Sequence, residues 1–237
     1  AAGSPAGSAP AGGVTFECSL DGAAFVACAS PKVYSPTDVA TQGLHTFRLR
    51  AVDLGGNVSA ETVGSWAIGI ANLTATNVTA SNGAGTKGLI DDGDKLLLTY
   101  SRGIDPATVR AGWDGATALP VTVKVTAGTV GHGDTVEVFD GDTRMASLGV
   151  VDLKQTGYVL APATSVTYQA SLAMNAGKDK LTITMVGAPD VPAAVGTVIT
   201  AAAVEWAPGP VRDTAGLALN NPAPAVVVES GVTDPDF

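Results

Sequence analysis

Two tandem β-sandwich domains in an all-β chain are what this sequence predicts, and three observations predict them. Hydrophobic residues make up 46% of 237 positions but aromatics only 5% and charged residues only 15%, so Ala, Val, Gly and Thr dominate. Small and β-branched side chains suit closely packed pleated sheets. The 29 Gly and 14 Pro suit the many turns that such sheets need. Short apolar or alternating runs recur between turn signals, whereas long amphipathic helices would require more Leu, Glu, Lys and Arg.

Residues 1–13, AAGSPAGSAPAGG, read as a small-residue linker or as a terminus left by signal-peptide cleavage. Either reading predicts an extracellular or cell-surface location. A first domain is expected over 14–70. VTFECSL (14–20) alternates, Asp21-Gly22 turns, and AAFVAC (23–28) follows. SPKVYSPTD (30–38) is extended and interrupted by Pro. In LHTFRLRAV (44–52), Leu44, Thr46, Arg48 and Arg50 face one way and His45, Phe47, Leu49 and Ala51 the other. Asp53-Leu-Gly-Gly-Asn57 makes a tight turn, and VGSWAI (63–68) is a last strand. A hairpin across Asp21-Gly22 would bring Cys18 and Cys28 within disulfide range, a cross-link contributing roughly 2–3 kcal/mol. The alternative is a pair of unpaired buried thiols. Two cysteines alone cannot complete a closed structural zinc site.

The second domain is expected over 71–237. Its strand-like runs are NLTATNVTA, DKLLLTYS, PVTVKVTA, DTVEVFD, ASLGVVDL, SVTYQASLAM, DKLTITMVG, GTVITAAAVEW and APAVVVES. That is too many for a minimal sandwich, so an enlarged one is expected. Only DPATVRAGW (105–113) looks helical, with Asp105 as N-cap and Pro106 as the first helical residue, for about two turns.

The formal charge of −9 and the absence of a Lys/Arg cluster exclude a nucleic-acid partner. No apolar run approaches the roughly 20 residues that a membrane-spanning helix needs.

The first domain resembles the Ig-like, fibronectin-type modules of bacterial surface proteins. The matching positions are Phe16, Cys18, Ser19, Leu20, Asp21, Gly22, Cys28, Ser30, Pro31, Gly43, His45, Thr46, Phe47, Arg50, Ala51, Asp53, Gly56, Asn57 and Trp66. The resemblance implies a sandwich with a spacer or adhesive role. Such modules have one or two strands before the F-x-C segment; here only residues 1–13 stand there, so the domain is expected to lack its opening strand. The second domain resembles a module of actinobacterial secreted proteins, carried by residues 88–115, 134–140, 148–159, 204–217 and 229–237. In it Leu217 replaces the Asn of a D-x-A-G-N turn. Neither resemblance brings catalytic residues.

His45 occupies a framework position and His132 a Gly-flanked loop, so neither is expected to act as a general base; no enzyme is expected. Calcium, a hard cation preferring oxygen ligands, has its best candidate site at Asp91, Asp92 and Asp94, with Asp140/Asp142 and Asp234/Asp236 behind it. Turn-forming Asp explains the same residues equally. Trp66, Trp113 and Trp206 are expected to anchor cores; an exposed platform for polysaccharide is the alternative. Asn57, Asn72 and Asn77 begin chance glycosylation sequons.

The function expected is an extracellular structural protein whose partners are copies of itself, in a filament, pilus-like fibre or surface layer. The alternative is an adhesive or polysaccharide-binding module of a larger secreted protein. Strand donation by the tail over 222–230 would join subunits, with Val226, Val227 and Val228 filling a neighbour's core.

Overall fold

A computed structural model describes residues 13–34, 43–68, 72–129, 132–221 and 225–230. The chain divides into two compact units, Ala1–Ala71 and Asn72–Phe237. Both are built from antiparallel strands, so the chain is all-β, and among the described residues no helix is long and apolar enough to cross a membrane.

In the first unit, β1 (Thr15–Leu20), β2 (Val26–Cys28), β3 (Gly43–Val52) and β4 (Thr62–Ile68) form one sheet in the order β2-β1-β3-β4. Its register collects Phe16, Cys18, Leu20, Val26, Cys28, His45, Phe47, Leu49, Ala51, Gly64, Trp66 and Ile68 on one face. The other face carries Glu17, Ser19, Arg48 and Arg50, where the Arg50 guanidinium holds Glu17 at 2.7 Å and lies 4.0 Å from the Phe25 ring centre. The two-sheet sandwich expected here is not what the described residues build: they form this single sheet. Alternation identifies an apolar face but not what packs on it. The missing opening strand concerns residues 1–12, which lie outside the described residues.

The second unit contains β5 (Ala75–Ser81), β6 (Lys95–Tyr100), β7 (Leu119–Thr126), β8 (Thr135–Asp140), β9 (Thr143–Arg144), β10 (Val150–Asp152), β11 (Ser165–Met174), β12 (Lys180–Val186), β13 (Glu205–Ala207) and β14 (Val227–Val228). All join one sheet, ordered β14-β13-β10-β8-β7-β11-β12-β6-β5, with β9 on β8. Every expected run in this unit carries a strand. Period-two alternation aims one face inward: Leu96, Leu98 and Tyr100; Val121, Val123 and Val125; Val166, Tyr168 and Leu172; Leu181, Ile183 and Met185 are all buried. In place of an enlarged sandwich, this sheet rolls into a near-barrel around its own core.

Side chains join the two ends of the roll. Asn221 presents its amide to both backbone groups of Ala75, accepting from its N–H at 2.8 Å and donating to its C=O at 3.0 Å. Glu229 accepts from the N–H of Ala80 and that of Val204, while Asn77 accepts from the Ser230 N–H at 2.9 Å. The amide and carboxylate thus take the place of peptide groups across the seam, leaving fewer buried donors unpaired.

The helix is shorter than expected. α1 spans Pro106–Val109, with Asp105 accepting from the Ala107 N–H at 3.0 Å as N-cap. Arg110 is already extended and Gly112 has φ +78°, which stops the helix after one turn.

Two Asp-led turns, one in each unit, share a hydrogen-bond pattern. Asp53 Oδ1 accepts from the N–H of Gly55 and of Asn57, and Asp213 Oδ1 from that of Ala215 and of Leu217. In both, the Asp N–H donates to the carbonyl four residues on. The bonds to the last residue run through its backbone, so Leu217 supports the turn as Asn57 does. Only the second carboxylate oxygen differs: that of Asp53 accepts from the Asn57 amide, whereas that of Asp213 makes an ion pair with Arg102 at 3.4 Å.

Candidate functional site

The first unit concentrates its specific side-chain chemistry around β1, β3 and β4. Cys18 and Cys28 form the disulfide, with Cα atoms 5.8 Å apart across the β1–β2 pair. His45 is buried, its Nδ1 lying 2.7 Å from Asp21 Oδ2 and its ring stacked on Trp66 at 5.7 Å. Asp21 also accepts from the Thr46 N–H at 2.8 Å. The pairing of Asp21 with His45 went unread in the sequence, where Asp21 registers only as a turn residue. The two are 24 positions apart, and only the β1–β3 register brings them together.

Beside this cluster lies β4. One of its edges pairs with β3; among the described residues, no strand pairs with the other. Trp66 and Ile68 are half-buried there and Val63 is exposed.

The acidic residues proposed for calcium point to different places. Asp91 Oδ2 accepts from the Thr86 N–H at 3.0 Å, and Asp92 Oδ1 from the Gly187 N–H at 2.6 Å. Asp94 is fully buried and accepts from the N–H of Gly83 and of Asp91, at 2.7 and 2.8 Å. Each carboxylate caps backbone donors. Among the described residues, no group of three or more His, Cys, Asp and Glu side chains is arranged to hold a metal ion. Asp140 pairs with Arg110 at 2.7 Å; Asp234 and Asp236 lie outside the described residues.

Trp113 and Trp206 are buried in the second core, donating from Nε1 to the carbonyls of Thr117 and Leu148, each at 2.7 Å. Neither offers a face to a sugar. His132 is exposed in its loop. Of the tail residues proposed for assembly, Val227 is buried and pairs with Trp206, Val228 pairs with Glu205, and Val226 is partly exposed. β14 thus adds to the sheet of its own chain, and donating it to a neighbour requires that strand to be exchanged.

The carboxylates predict opposite acid responses in the two units. Asp21 is held below its usual value near 3.8, first by the hydrogen bond to His45 and then by that from Thr46. Asp53 is also lowered, first by the Asn57 side chain. A lowered carboxylate contributes stability that is present above the unfolded value and lost as pH falls through the folded one. Asp94 is raised, chiefly by burial, with the charges of Asp91 and Asp92 adding to it. Its contribution is present below 3.8 and lost as pH rises through its folded value. Acidification below about pH 4 should therefore weaken the first unit while relieving strain at Asp94. Protection factors from hydrogen exchange should fall in the strands β1 to β4 before they fall in β5 to β12; simultaneous loss would contradict this.

No family model, curated protein or solved structure matches the chain.

Proposed function

We propose that the chain is an extracellular structural protein, without a catalytic role, that associates with copies of itself. The observation carrying this reading is the edge of β4 that, among the described residues, no strand pairs, beside a half-buried apolar face, a combination that templates strand pairing with another chain. The disulfide supports an oxidising, extracellular setting. Under this reading the resemblance to bacterial surface modules extends to their spacer role. Negative-stain electron microscopy of native material tests the proposal. Fibres, layers or other repeating assemblies are expected; separate single-chain particles throughout would contradict it.

A further inference from the structure

Natural proteins blunt exposed edge strands with charge, Pro, bulges or brevity. At the opposite edge of the first sheet, β2 is three residues long and tied down by the disulfide. In the second unit the two terminal strands meet at the seam. β4 uses none of these devices, and among the described residues no strand pairs its outer edge: its seven residues, TVGSWAI, include no charge and no Pro, and its register with β3 is unbroken.

The strand is also complementary to itself. Two antiparallel copies related by a two-fold axis through Ser65 match all seven positions. Thr62 then faces Ile68, Val63 faces Ala67, Gly64 faces Trp66, and Ser65 faces its own copy. In each unlike pair a larger side chain meets a smaller one, at the roughly 4.5–5.5 Å Cβ spacing of directly opposed residues. Gly64 is the point of closest fit. A Cβ built there meets nothing within 4 Å, so the second copy's indole can lie across its bare backbone. Sliding the register by two residues leaves positions unpaired and opposes Trp66 to itself or to Thr62. Sliding it by one sets the apolar face of one copy beside the polar face of the other.

We propose that two copies of the chain pair through β4 in this register, extending the sheet of the first unit across both. The inference rests on the self-association reading and names its contact. A two-fold contact closes, so a fibre or layer needs a second, different interface.

Single substitutions at Ser65 test the register, because only the residue on the axis faces itself. Ser65→Cys should form disulfide-linked dimers under mild oxidation, whereas Val63→Cys should not, its symmetry mate lying roughly 13 Å along the strand. Ser65→Lys and Ser65→Glu should each weaken dimerisation at least about tenfold, and an equimolar mixture should restore it. Ser65 is exposed, and circular dichroism checks that each variant folds. If the unmodified chain associates but Ser65→Cys does not link and Ser65→Lys changes nothing, the β4 contact is overturned and self-association stands. If the unmodified chain is monomeric at every concentration, both fall.

Discussion

Replacing Cys18 and Cys28 together by serine should unfold the first unit and leave the second folded. Few of the first unit's described side chains are fully buried: Cys18, Ser19 and His45. The remaining apolar face is half-buried, so hydrophobic burial supplies little margin in so small a unit. The disulfide closes the turn between β1 and β2 and holds a three-residue edge strand that pairing alone secures weakly. Its loss removes roughly 2–3 kcal/mol, from a core of a size that rarely supplies more than roughly 3–5 kcal/mol and whose apolar face is here only half-buried. Two-dimensional amide NMR reads the units separately. The resonances of β1 to β4 should collapse toward random-coil positions while those of β5 to β12 stay dispersed. Retention of both sets would show that the sheet stands without its cross-link.

In the second unit, the largest single-residue effect is expected at Asp134. Its carboxylate is 1% exposed and accepts from three backbone N–H groups: Gly128 at 2.7 Å, Gly157 at 3.2 Å and Val159 at 3.0 Å. Its own backbone bonds Gln155 and Leu153. One side chain therefore fastens the segments before β8 and after β10 to each other. Asp134→Ala strands three donors in a buried site and should cost about 3–5 kcal/mol. Asp134→Asn should cost less, because its amide keeps one acceptor oxygen, but its NH2 then faces a donor. Urea unfolding in a Trp66→Phe background, followed through Trp113 and Trp206, measures both. A loss below about 1 kcal/mol for Asp134→Ala would mean that water or a local shift satisfies those donors.

Asp134 also marks where reading the chain as a string stops working. In DTVEVFD it is only the first residue of a strand-like run, since its acceptor role depends on residues 128, 157 and 159, which only the folded sheet assembles. The strands themselves were readable, because inward and outward positions alternate along each run whatever lies beyond it. The cross-link was readable because Cys18 and Cys28 flank a turn. Asp105 and Pro106 mark the start of α1, but nothing in the sequence marks its end: Arg110 and Trp113 are compatible with helix, and the extended Arg110 and the positive φ of Gly112 decide otherwise. Sheet closure was beyond the pattern altogether. An apolar run states that one face will be buried, not whether a second sheet or the same sheet rolled over buries it. The tail gives the same lesson: Val226–Val228 announces a strand, and pairing with β13 in its own chain supplies the partner. At the candidate site, the strand over 63–68 was visible, but its place at an edge that no described strand pairs follows from the strand order alone.

Sedimentation velocity of the intact 23.5 kDa chain over a wide range of concentrations tests self-association most directly. A species of twice that mass or more should grow at the expense of monomer as concentration rises, with the Ser65→Lys variant displaced toward monomer. A single species of monomer mass at every concentration would contradict the account.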